Sequence, residues 1–202
     1  MSDGREVYAG PADVYIAAAG TAFPTLDDAP ADFDDAWQLL GANGNKNQDD
    51  SGVVLTLNET TNEFSGAGAT RGLNAWRTAE GGTIALSLAD MSIATFAAVM
   101  DMATVTTVAA GSGTVGKKSI SLDRGIQTYK YALVLRLPSP EAEIADDLPA
   151  QFNVVRSYQS GNQAPAFSKS NPALLAVEFT ILEGLSGGDS VAYEVATAPA
   201  TT

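Results

Sequence analysis

Residues 51–102 read SGVVLTLNETTNEFSGAGATRGLNAWRTAEGGTIALSLADMSIATFAAVMDM, and they decide the fold. Val53, Leu55 and Leu57 alternate with Val54, Thr56 and Asn58, and Ile84, Leu86 and Leu88 alternate with Thr83, Ala85 and Ser87. Successive side chains of a strand leave opposite faces, so an apolar residue at every second position predicts a half-buried strand. Between these runs the polar tract 58–63 and the Gly-rich residues 64–70 read as a long loop. Residues 71–78 read as a further strand, and Glu80-Gly81-Gly82 as a turn. Ser92 carries a hydroxyl suited to cap a helix. Ile93, Phe96, Ala97 and Met100 follow at i, i+3, i+4 and i+7, one apolar stripe on a helix of about ten residues that should lie on a sheet. Nothing in the stretch looks catalytic; it reads as an assembly element.

Outward from this unit the strands continue. Residues 13–18 predict a first strand and 37–40 a short second one, separated by a loop with Pro24, Pro30 and five aspartates that Phe23 and Phe33 could pin to the body. Residues 41–52 (GANGNKNQDDSG) are a polar loop of turn-forming residues. Residues 104–109 and 119–122 are β-prone. In 129–137, Tyr129, Tyr131, Leu133, Leu135 and Leu137 should face the core, with Lys130, Ala132, Val134 and Arg136 facing out. Strands at 152–158 and 174–182 complete the set. About eight strands and one short helix predict an all-β fold, a sandwich or half-barrel of two packed β-sheets. The division expected is a flexible N-terminal arm (1–11), a β domain (12–183) and a Gly/Ala/Thr/Pro-rich tail (184–202) that is flexible or lies on a neighbour.

The chain has 202 residues, of which 45% are hydrophobic, with no cysteine and no histidine. That length supports a core without disulfides, and the two missing residue types remove thiolate chemistry and the commonest general base and metal ligand. The net charge is −13, which repels rather than binds duplex nucleic acid. Residues 1–50 carry ten acids against Arg5 and Lys46. The N-terminus lacks a basic region followed by an apolar run, so no secretory signal is expected.

Three motifs carry weaker signals. Gly111, Gly113 and Gly116, followed by Lys117 and Lys118, match G-x-G-x-x-G and nearly match the phosphate-binding G-x-x-x-x-G-K-[ST]. Lys118 replaces the hydroxyl residue, and 118–122 reads as strand where a helix is required, so a hairpin loop is expected. Asn43, Asn45, Asn47 and Asp49 have alternate calcium-loop spacing, but Gln48 and Val54 stand where glycine and glutamate belong. Hydrolases need a nucleophile with a base, and glycosidases usually add stacked aromatics to their carboxylate pair; this composition argues against an enzyme. No cofactor or metal site is expected.

Taken in order, the features resemble the major tail tube protein of long-tailed bacteriophages. The likeness rests on Ala19-Gly20-Thr21 before a Pro loop, 37–41, the strand and acidic tract 53–63, Arg77-Thr78-Ala79-Glu80 leading to a strand, and Leu88-Ala89-Asp90-Met91-Ser92 at the helix start. It extends over 125–140 and 173–182. The resemblance implies two packed β-sheets with a flanking helix. It implies hexameric rings that stack, with inner sheets joined into one barrel, so that neighbours cover the edge strands. It further implies an acidic lumen conducting double-stranded DNA without specific binding, and partnership with tape-measure and tail-tip or terminator proteins. Such a chain is made in the host cytoplasm and resides in the virion tail, without membrane binding of its own. On this resemblance Glu59 and Glu63 are candidate lumen acids. The segments 41–52 and 64–72 are candidate ring contacts, with Arg71 and Arg77 pairing acids of a neighbour such as Asp49 or Asp50. The acidic stretch 27–35 departs from the family pattern. The alternatives are a monomeric β-sandwich that binds a ligand or receptor, and the ring-forming tube protein of a contractile secretion system.

Overall fold

The computed structural model describes residues 11–41, 48–68, 70–137, 149–165, 167, 169 and 172–196. The elements are β1 (Asp13–Ala18), β2 (Gln38–Gly41), β3 (Gln48–Phe64), β4 (Asn74–Leu88), α1 (Ile93–Val99), β5 (Thr106–Val108), β6 (Lys117–Ser119), β7 (Tyr131–Leu137), β8 (Ala150–Gln159), β9 (Leu175–Ile181) and β10 (Val191–Val195). Eight strands form one antiparallel sheet, in the order β2-β1-β7-β8-β9-β4-β3, with β10 also paired to β8. β5 and β6 form a separate two-stranded sheet. No closed barrel is present among the described residues.

The sheet turns at β8. One edge of β8 pairs with β10 over residues 150–154 and with β9 over 157–159. One core then collects Ile16, Leu133, Leu135 and Val154 together with Ile84, Leu86, Leu175 and Phe179. A seven-residue helix cannot cover that much sheet, so the two halves of the sheet cover each other, with Ala98 and Val99 filling one end. Tyr131 on β7 and Phe179 on β9 meet edge to face, 5.5 Å between centroids. The two edge strands of the sheet approach each other as well: a Cβ added to Gly41 on β2 would run into the Gln48 side chain on β3.

The structure departs from the sequence reading in five places. The loop expected over 41–52 gives way to strand at Gln48, where β3 begins. The polar tract 58–63 is strand, not loop, and Glu80-Gly81-Gly82 is not a turn: β3 and β4 form one long hairpin in which Leu57 faces Gly82 and Glu59 faces Glu80. Gly82 is needed for close approach, because a Cβ there would lie 2.8 Å from the Thr56 carbonyl oxygen and 2.9 Å from Ile181 Cδ1. The outward face of β7 is buried. Ala132 and Val134 pack with Tyr15, Ala17 and Trp37 into a second cluster under Phe23, Phe33 and Leu39. The aspartate-rich loop therefore lies on the outer face of the sheet. Buried Arg136 donates to Gln151 Oε1 (2.7 Å) and to the carbonyls of Leu26 (2.5 Å) and Asp28 (3.2 Å). Gln151 Nε2 donates to the Pro24 carbonyl (3.0 Å). The capping hydroxyl of Ser92 accepts from the Thr95 amide (3.3 Å), but α1 is shorter than expected. It buries Thr95, Ala97, Ala98 and Val99 and leaves Ile93, Phe96 and Met100 half-buried. Finally, part of the expected tail is strand: β10 pairs with β8.

Candidate assembly surfaces

The β3–β4 hairpin leaves the body as an arm. From Thr56 to Phe64 on one strand, and from Asn74 to Gly81 on the other, every residue is exposed. β9 stops supporting β4 at Thr83, so beyond it both outer edges of the arm are unpaired among the described residues. The Leu73 amide closes the end on the Phe64 carbonyl (2.7 Å).

Directly opposed residues of an antiparallel pair share a face, and the register here separates the charges. Glu59 and Glu80, Thr61 and Arg77, and Glu63 and Ala75 share one face. The opposite face carries Thr60 with Ala79, Asn62 with Trp76, and Phe64 with Asn74, and no charge. The bulge at Thr78 keeps Arg77 on the charged side, and its hydroxyl donates to the Thr60 carbonyl (3.1 Å). Phe64 is 56% and Trp76 48% exposed, diagonal neighbours on the uncharged face.

The predicted site residues fall as follows. Arg77 binds within its own hairpin, to Glu59 (2.6 Å) and to Glu80. These two carboxylates raise its pKa, Glu80 first through its hydrogen bond. Glu59 is thereby an ion-pair partner rather than a free acid. Glu63 shares the charged face further out and makes no ion pair among the described residues; its carboxylate folds over Gly72, where any Cβ would collide with it. Asp49 and Asp50 sit at the foot of the arm in the irregular part of β3. The Ser51 hydroxyl, 2.9 Å from the Asp49 carboxylate, holds that group below its ordinary pKa. Arg71 is exposed in the connection at the arm's end. The structure brings Glu59 and Arg77 together and leaves the other candidates apart. The calcium-like positions 43, 45 and 47 lie outside the described residues, and no group of acids that could hold a metal occurs among the described ones.

One further feature escaped the sequence reading. A cleft of about 660 Å³ opens between the foot of the arm and the strand ends at 181–191. Leu57, Ile181 and Val191 contribute apolar surface to it, and Glu59, Glu80, Glu183 and Asp189 contribute acid. Its two walls are far apart in sequence, and only the sheet order brings them together. The glycine motif at 111–117 is the connection of the β5–β6 hairpin, as expected: Gly111 and Thr114 exchange backbone hydrogen bonds of 3.1 and 3.0 Å, with Gly113 at φ 76°. A strand follows the motif, so there is no helix end to hold a phosphate.

The candidate surfaces of the chain are thus an unsupported two-faced arm, an acidic cleft at its foot and a small separate hairpin. No protein-family model matches the chain, and no curated protein matches it.

Proposed function

We propose that this chain is the repeating subunit of a tube, of the kind formed by the major tail tube proteins it resembles. The observation that carries the reading is the arm. A two-stranded ribbon exposed on both faces is at best marginally stable in water, and open strand edges invite pairing with other chains. Here such a ribbon carries Phe64 and Trp76 on one face and its charges on the other. A neighbouring copy covering the uncharged face and the open edges removes the exposure. The charged face stays with water, and Glu63 on it, without an ion pair among the described residues, is an acid of the kind that suits a channel conducting a polyanion. Stacked rings place such faces around a common axis and consume the edges of each sheet.

The test is negative-stain electron microscopy of the purified chain at raised concentration. The expected result is rings or tubes with a stained channel, lost in a Phe64→Ser, Trp76→Ser variant whose circular dichroism is unchanged. The exposed Phe64 and Trp76 also support a monomeric module that binds a ligand through them. Particles that remain single at every concentration favour that second reading and overturn the first.

A further inference from the structure

We propose that the tip of the β5–β6 hairpin of one copy seats in the acidic cleft of a second copy. This rests on the self-assembly reading and names the surfaces that meet.

The hairpin looks like half of a contact. Its two strands have three residues each, all exposed, and it shares no strand pairing with the main sheet. So small a ribbon gains little stability by itself. Its tip is narrow because Gly113 takes the left-handed position of a tight turn. Gly116 lets the strands converge, since a Cβ there would lie 2.8 Å from the Ala110 nitrogen. Directly behind the tip stand Val115, 87% exposed, and the adjacent Lys117 and Lys118.

Four of the chain's other cations are held by groups of their own chain. Arg136 is buried under the aspartate-rich loop, Arg77 is held by Glu59 and Glu80, and Lys130 lies over the Tyr158 ring at 4.9 Å. Arg124 donates to Gln159 and Gln163. Lys117 and Lys118 form no ion pair among the described residues. They are an adjacent pair of free cations on a chain of net charge −13.

The cleft is the complementary half. Its volume of about 660 Å³ exceeds the need of one valine. Its floor is apolar at Ile181 and Val191, and Glu183 and Asp189 on its rim make no ion pair among the described residues. Arg77 is the sole cation lining it among the described residues. Val115 would meet the floor while Lys117 and Lys118 meet the rim. The hairpin does not line its own cleft. Knob and cleft are different surfaces of one chain, so the contact repeats from copy to copy and either closes a ring or runs on as a filament. Glu63, further out on the arm, remains outside it.

The test is a charge swap read by sedimentation velocity and electron microscopy. Lys117→Glu with Lys118→Glu, and separately Glu183→Lys with Asp189→Lys, should each raise the concentration needed for assembly by about tenfold or more. An equimolar mixture of the two variants, and the single chain carrying all four changes, should assemble again. Because the chain has no cysteine, Val115→Cys with Ser190→Cys offers a second readout: under oxidation it should give a ladder of covalent multimers, while either single variant gives dimers at most. Normal assembly of the lysine variant, or a missing ladder while wild-type rings form, overturns this contact and leaves the tube reading standing. A wild-type chain that never associates overturns both.

Discussion

Replacing Arg136 with methionine tests whether the aspartate-rich loop is clamped to the sheet by one buried cation. Arg136 is 8% exposed and donates to three acceptors, two of them backbone carbonyls of the loop. It also stands opposite Asp13 in the β1–β7 register. Methionine keeps the length of the stem, so the packing loss is small, but it abandons Gln151 Oε1 and the Leu26 carbonyl in a dry site. Hydrogen bonds from a charged donor contribute roughly 1.5–3 kcal/mol each, and an acceptor left buried without a partner costs about 1–3 kcal/mol. Removing one member of a buried charged cluster costs about 3–5 kcal/mol, which we take as the expected loss. In a chain of this size roughly 2–4 °C accompanies each kcal/mol, so Tm should fall by about 6–20 °C. The assay is urea unfolding followed by the fluorescence of Trp37, which lies beneath the same loop and donates to the Ala22 carbonyl at 3.0 Å. A Trp76→Phe background removes the second tryptophan. A loss under about 1 kcal/mol, with Trp37 emission unchanged, would show that Phe23, Phe33 and Trp37 hold the loop without the arginine.

The hydroxyl of Tyr131 is buried and donates to the Val99 carbonyl at 3.1 Å, and burial followed by the charge of Asp101 raises its pKa. The unfolded chain therefore loses this proton first as pH climbs past about 10, so stability should fall with pH in that range; a Tyr131→Phe variant whose urea midpoint falls just as steeply would refute this. Gly82→Ala should destabilise by about 1–3 kcal/mol by overpacking against Thr56 and Ile181. Gly81→Ala, with nothing within 4 Å of the added carbon, should be neutral or stabilising by up to about 1 kcal/mol; equal effects in thermal melts would contradict the register of the hairpin.

The legible parts of the fold were those where one face is dry and the other wet. The alternations at 83–88 and 175–181 reappear as strands in which buried residues alternate with half-buried or exposed ones. Alternation fails where both faces share an environment. On the arm both faces are wet, so the polar tract 58–63 carries no apolar period and reads as loop. On β7 both faces are dry. The unbroken apolar run 131–135 was the available signal, since a strand covered on both sides has no polar face to show. The Gly81-Gly82 pair misled for a different reason: glycine marks close approach as well as turns. Of the candidate site, the acids of the arm were visible as residues, but the pairing of Arg77 depends on the bulge at Thr78. The cleft was invisible, because its walls come from segments about a hundred residues apart.

Charge gives the assembly proposals a common test. Copies with net charge −13 repel one another, and salt relieves that repulsion, because the screening length falls from about 30 Å at 0.01 M to about 10 Å at 0.1 M and about 3 Å at 1 M. A contact made through the uncharged face of the arm gains from salt at every step, since nothing attractive in it is screened. A contact between Lys117 and Lys118 and the acids of the cleft loses by the same screening. With both present, assembly should strengthen from low to moderate salt and weaken again towards 1 M, in sodium chloride, where specific salting-out is small. With Lys117→Glu and Lys118→Glu the second effect disappears, and the concentration needed for assembly should fall steadily as salt rises. Light scattering across the salt series distinguishes the cases. A steady fall for the wild type as well would mean that the lysines contribute no net attraction. A steady rise from the lowest salt would mean that attraction between opposite charges outweighs the net repulsion throughout, and that the apolar arm is not the dominant contact.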